Sequence, residues 1–134
     1  MNDYKNTPKS SATPDSPPSK EHLDELCRDV AAGRKAAKTL KDFVAGSPVS
    51  EVEFRLLWHL QKNSTTDQRA LALSLGVSPA QVSSCVEQLR SELLVVGVRD
   101  SKDRRRQKWR LSMGGVSLLA SLTTPGVRVW KEAA

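Results

Sequence analysis

The most constraining feature of the sequence is the junction Leu75-Gly76-Val77-Ser78-Pro79, set between two short runs with helical apolar spacing. Glycine suits the left-handed residue that ends a helix. Ser78 is then a helix cap, Pro79 sits at the first helical position, and Gln81 completes an S-x-x-Q capping box. The pattern predicts a helix over Asp67–Leu75 with Leu71, Ala72 and Leu75 inward, and a second over 78–93 with Val82, Cys85, Val86 and Leu89 inward. Val77 fills the turn, and Ala72 is small where the helices cross. Two helices joined by so short a glycine turn make a helix-turn-helix, here over residues 68–87.

At about 100° per residue, Ala80, Ser84, Glu87 and Gln88 lie opposite Val82, flanked by Gln81 and Ser83. A helix with such a short polar face can enter the major groove of DNA. Glutamine pairs bidentately with adenine and serine serves either base, so Gln81, Ser84 and Gln88 are candidates for base readout. Ser78, Pro79, Ala80 and Ser83 complete the expected contact set. The plainer alternative is an ordinary solvated face.

After this helix, Leu94–Arg99 (LVVGVR) and Lys108–Ser112 (KWRLS) have the Val-rich composition of two strands joined by a polar tip, a wing over 94–112. Arg99, Lys102, Arg104, Arg105, Arg106, Lys108 and Arg110 face only Asp100 and Asp103 in sequence, so much of the chain's net charge of +6 is concentrated here. Charge runs are usually solvated loops. This one extends from a hairpin attached to a helix-turn-helix, where phosphates or the minor groove come within reach. Arg99, Lys102, Arg104, Arg105, Arg106 and Lys108 are the candidate wing contacts, and the arginines suit both phosphate and a narrow minor groove.

The remainder of the 134 residues frames this unit. Residues 1–19 hold Pro8, Pro14, Pro17 and Pro18 among serines and threonines, with little to bury, and are expected to be a disordered tail. Residues 20–46 form an N-terminal helix, acidic early and basic late, with Leu23, Leu26, Val30, Gly33, Ala37, Leu40 and Val44 on one narrow seam. The spacing does not decide whether that seam packs on its own domain or across a dimer. Ser50 and Glu53 announce a further helix through a capping box, with Val49 and Phe54 as the hydrophobic staple. It runs to about Gln61, and its apolar residues make it a central core helix in which Trp58 is structural. The DNA-binding domain is expected over 47–113, and a short C-terminal helix and tail over 114–134. The fold class is mainly α with a small β-hairpin wing, a winged helix-turn-helix.

The run from Asp67 to Gly115, with Asp103, Arg104 and Arg105 in its wing, resembles the MarR family, and the likeness extends back through VSEVEFRLLWHL. That resemblance implies a homodimer on a pseudo-palindromic double-stranded operator, commonly a repressor, released by a small-molecule effector or by oxidation; a cytoplasmic place is expected separately, from the want of a secretory or membrane-spanning apolar run. It also implies that Asp103 braces the wing arginines. The chain departs from the family at Ser84 and Gln88, where arginine is frequent, and at Leu93, where a glycine usually closes the recognition helix. It has few residues after the wing, where the family has long dimerising helices. For a dimer, the N-terminal seam and Leu118, Leu119, Leu122, Val127, Val129 and Trp130 are the expected apolar surface.

Other classes find less support. Cys27 and Cys85 lack zinc or disulfide spacing, and His22 and His59 lack companions that would complete a metal site. A redox role for Cys27 is disfavoured by neighbouring Asp24 and Glu25, and Cys85 is expected to act as a small hydrophobe. No run approaches the roughly 18 apolar residues of a membrane span. Neither a phosphate-binding glycine loop nor a nucleophile with its base is present, so an enzyme and a bound cofactor are not expected. The alternative is a winged-helix protein-interaction module, against which the charged wing and the scarcity of aromatic residues argue.

Overall fold

The computed structural model describes residues 16–99, 102 and 107–124. Two compact units are present, residues 1–39 and 40–134. In the first, helix α1 (Lys20–Val44) begins where Ser19 Oγ accepts from the His22 amide at 3.1 Å. Its Leu23, Leu26 and Val30 are exposed. The last turn of α1, with Leu40, Phe43 and Val44, belongs to the second unit and its core.

The second unit continues with α2 (Glu51–Asn63), β1 (Thr66–Asp67), α3 (Gln68–Leu75), α4 (Pro79–Ser91), β2 (Val95–Arg99), β3 (Gln107–Leu111) and α5 (Met113–Thr123). The three strands form one antiparallel sheet in the order β1-β3-β2. The winged helix-turn-helix expected from the sequence is present, with one more strand. Two residues are too few to show alternation, and Asp67 also serves as the N-cap of α3, accepting from the Ala70 amide at 2.8 Å. β1 therefore exists through its partners Trp109 and Lys108 rather than through its own sequence.

Each helix start follows local chemistry. Ser50 and Glu53 form both halves of the capping box on α2, and the staple residues Val49 and Phe54 are buried. Leu56, Leu57, Leu71, Val82 and Leu89 are fully buried between α2, α3 and α4, each stabilising the unit by about 1.5–3 kcal/mol. α2 is not core on every side: Trp58 remains 39% exposed and stacks on Phe54, ring centroids 5.8 Å apart. It also extends a short way past Gln61, to Asn63.

A second correction concerns α5. Leu119 and Leu122 turn into the core, each 1% exposed, and are not available as a dimer surface. α5 is short, and the core of this unit needs its apolar face to cover α2 and the sheet. Val127, Val129 and Trp130 lie outside the described residues.

The recognition helix ends at Ser91, with Glu92 as its C-cap, rather than at residue 93. Leu93 adopts φ 63°, the left-handed conformation that favours glycine, and is 75% exposed. A leucine there is strained without compensating burial. Leu93→Gly is expected to stabilise the protein by about 1 kcal/mol, measured as a higher midpoint of urea unfolding. A lower midpoint would show that the exposed leucine is held by contacts the strain argument omits.

Candidate nucleic-acid interface

The helix-turn-helix is held by three local devices. Gly76 takes φ 68° and its amide donates to Ala72 O at 3.0 Å, closing α3. Ser78 Oγ accepts from the Gln81 amide at 3.1 Å, opening α4 behind Pro79. From α2, Arg55 donates to Leu75 O at 2.9 Å while pairing with Glu51 on its own helix. A cation thereby meets the carbonyl end of α3 and fixes the turn against the core.

Inward, Val82, Val86 and Leu89 of α4 are buried. Outward, Ser78, Pro79, Ala80, Gln81, Ser83, Ser84 and Gln88 are all exposed, so one continuous surface carries every residue singled out on this helix. Gln88 is not idle: its amide donates to Glu92 Oε2 at 2.7 Å. Glu87 pairs with Arg90 at 2.9 Å. Glu92, which sequence reasoning passed over, becomes noticeable only once the helix is seen to close beside Gln88.

In the wing, β2 and β3 pair from Val95↔Leu111 to Arg99↔Gln107. Arg99 at the end of β2 is exposed, as are Lys102 and Arg110, whereas Lys108 is half-buried opposite Val98. Asp103, Arg104, Arg105 and Arg106 lie outside the described residues. The base of the wing is anchored by Ser112, which caps α5, donates through Oγ to Leu93 O at 2.6 Å and through its amide to Leu94 O at 3.1 Å.

Two further features lie in this unit. A cleft of about 590 Å³ is lined by Phe43, Phe54, Trp58, Arg55, His59 and Lys62, among others, so that its lining includes both aromatic and basic side chains. It draws residues from several elements, which is why no local pattern announced it. Cys85, on the inward side of α4, is half-buried, and burial pushes its thiol up, with the Glu53 carboxylate adding to the shift and the Arg55 guanidinium opposing it. Cys27 on α1 is exposed. In the native protein a thiol reagent at pH 8 is therefore expected to modify Cys27 quickly and Cys85 only on unfolding. Rapid labelling of both thiols would show that α4 opens readily.

Among the described residues, no group of three or more His, Cys, Asp and Glu could hold a metal ion, and no helix is long and apolar enough to cross a membrane.

Residues 50–92 match the family of winged helix-turn-helix DNA-binding domains. No curated protein matches the chain. Among solved structures, the transcriptional regulator BldR from Sulfolobus solfataricus superposes with a TM-score of 0.65 at 20% identity, over 84% of this chain and 91% of that one. A MepR mutant of S. aureus bound to an oligodeoxyribonucleotide gives 0.60 at 18% identity, over 83% and 78%. AbsC, a MarR family transcriptional regulator from Streptomyces coelicolor, gives 0.64 at 13% identity, over 88% and 80%. The chain thus carries a winged helix-turn-helix, the fold that it shares with MarR family regulators such as AbsC.

Proposed function

We propose that this chain is a MarR-type transcriptional regulator that binds double-stranded DNA sequence-specifically, as a repressor. The observation that carries this is the uninterrupted exposed polar face of α4, residues 78–88, on a helix-turn-helix flanked by a basic hairpin. α4 enters the major groove, where Gln81, Ser84 and Gln88 read base edges, and Ser78, Pro79, Ala80 and Ser83 set its approach. The wing follows the backbone or the minor groove through Arg99, Lys102, Arg104, Arg105, Arg106 and Lys108, with Asp103 bracing the arginines. Residues 47–113 form the DNA-binding part.

The protein acts as a homodimer in the cytoplasm. The exposed Leu23, Leu26 and Val30, at coiled-coil spacing, support α1 as the surface where a second copy packs. The cleft beside Phe54 and Arg55 supports control by a small-molecule effector, since it combines aromatic walls with positive charge. The function is binding and involves no catalytic step or cofactor.

Selection of bound DNA from a random duplex pool tests this. An enriched inverted repeat is the expected result, because two copies related by a twofold axis place two α4 helices on two half-sites. A single enriched half-site would remove the dimer. No enrichment at any salt concentration would remove sequence-specific DNA binding and favour a winged helix that recognises another protein.

A further inference from the structure

Gln81, Ser84, Gln88 and Glu92 fall within about 80° of one another around α4, a single exposed stripe that ends in an acid. A carboxylate is costly next to DNA phosphates, so its place on this stripe calls for a compensating role. The hydrogen bond at its end supplies one: Gln88 Nε2 donates to Glu92 Oε2 at 2.7 Å.

We propose that Glu92 is a positioning residue for base readout: by holding the Gln88 amide nitrogen it makes Gln88 a reader of adenine and not of guanine. This rests on the DNA-binding function proposed above. A free glutamine amide turns about its last bond and offers either edge. Its carbonyl oxygen with one N–H matches adenine, which presents a donor at N6 and an acceptor at N7, whereas its NH2 group alone can donate to guanine O6 or N7. A carboxylate is acceptor-only and therefore binds only the nitrogen end. With Nε2 held by Glu92, one N–H is spent, and Oε1 and the remaining N–H form the edge that fits adenine. Presenting Oε1 to guanine sets two acceptors against each other. The tether also removes side-chain freedom before DNA arrives, so less is lost on binding.

Glu92→Ala removes both the charge and the acceptor, while Glu92→Gln removes the charge and keeps an acceptor oxygen but adds an NH2 donor, so that it can bind either end of the Gln88 amide. Both side chains are exposed, so neither change threatens the core.

The experiment is duplex selection with the full chain, followed by binding titrations on the enriched site and its single-base variants. The position read by Gln88 is located as the one whose preference disappears in Gln88→Ala. There, Glu92→Ala is expected to reduce the adenine-over-guanine preference about tenfold, while both Glu92 variants bind every sequence somewhat more tightly through loss of the charge. Glu92→Gln, which no longer selects the nitrogen end of the Gln88 amide, is expected to lose most of the preference as well. An unchanged preference in Glu92→Ala or in Glu92→Gln would overturn the positioning role while leaving DNA binding intact. If the wild-type protein enriches no sequence, the DNA-binding function fails, and the positioning role fails with it.

Discussion

Replacing Gly115 by alanine is expected to destabilise the protein by about 1–3 kcal/mol, seen as a lower urea midpoint with an unchanged slope. Gly115 is buried near the start of α5. A Cβ there would press against the Leu94 carbonyl oxygen and come within 3.0 Å of the Leu111 side chain. The obstruction is backbone, and that carbonyl already accepts from the Ser112 amide at 3.1 Å. α5 has little freedom to retreat, because Ser112 Oγ also donates to Leu93 O and accepts from the Gly115 amide. Overpacking a tight site costs about 1–3 kcal/mol and a strained hydrogen bond about 1 more. The better helix propensity of alanine returns roughly 1. Gly33 in α1 is the natural control, because nothing lies within 4 Å of its added Cβ. Gly33→Ala is expected to strengthen α1 by up to about 1 kcal/mol, read as slower loss of helical circular dichroism on heating. If Gly115→Ala melts with the wild type, the packing of α5 on the wing is looser than these contacts imply.

The same junction shows what could be foreseen from the residues and what could not. Ser50, Ser78 and Gly76 act on neighbours one to four positions away, so their side chains and conformations announce the helix boundaries directly. The inward faces of α3 and α4 were equally legible, since Leu71, Leu75, Val82 and Leu89 repeat at helical spacing and all are buried. Non-local features were hidden. β1 depends on Trp109 across the sheet, and Thr66, its partner there, is buried. Leu119 and Leu122 looked like a dimer surface because their spacing fits any apolar partner; the partner is the core of their own unit. Trp58 is the converse, a large apolar residue left partly exposed beside a cleft. On α4 the exposed face was foreseen, but the bond from Gln88 to Glu92 was not. A carboxylate four residues on is ordinarily a neutral detail of a solvated helix.

The largest effect on DNA binding is expected from Arg104→Ala combined with Arg105→Ala. In sequence these residues lie between Arg99 and Gln107, the last paired residues of β2 and β3. The helix-turn-helix alone is poor in cations: on α4, Arg90 is paired with Glu87, and Glu92 adds a negative charge. On the DNA-binding function proposed above, most counterion release is therefore expected from the wing. Each phosphate contact contributes about 0.9 to the slope of log affinity against log salt. The double variant is expected to flatten that slope by about 2 and to weaken binding roughly tenfold to a hundredfold at moderate salt, on every sequence alike. Base preferences set by α4 should survive, since phosphate contacts position the protein without reading sequence. A loss confined to sites with A-tract flanks would instead place these arginines in a narrow minor groove, where their attraction depends on groove width. Unchanged affinity and slope would remove the wing from the interface and leave α4 to bind alone.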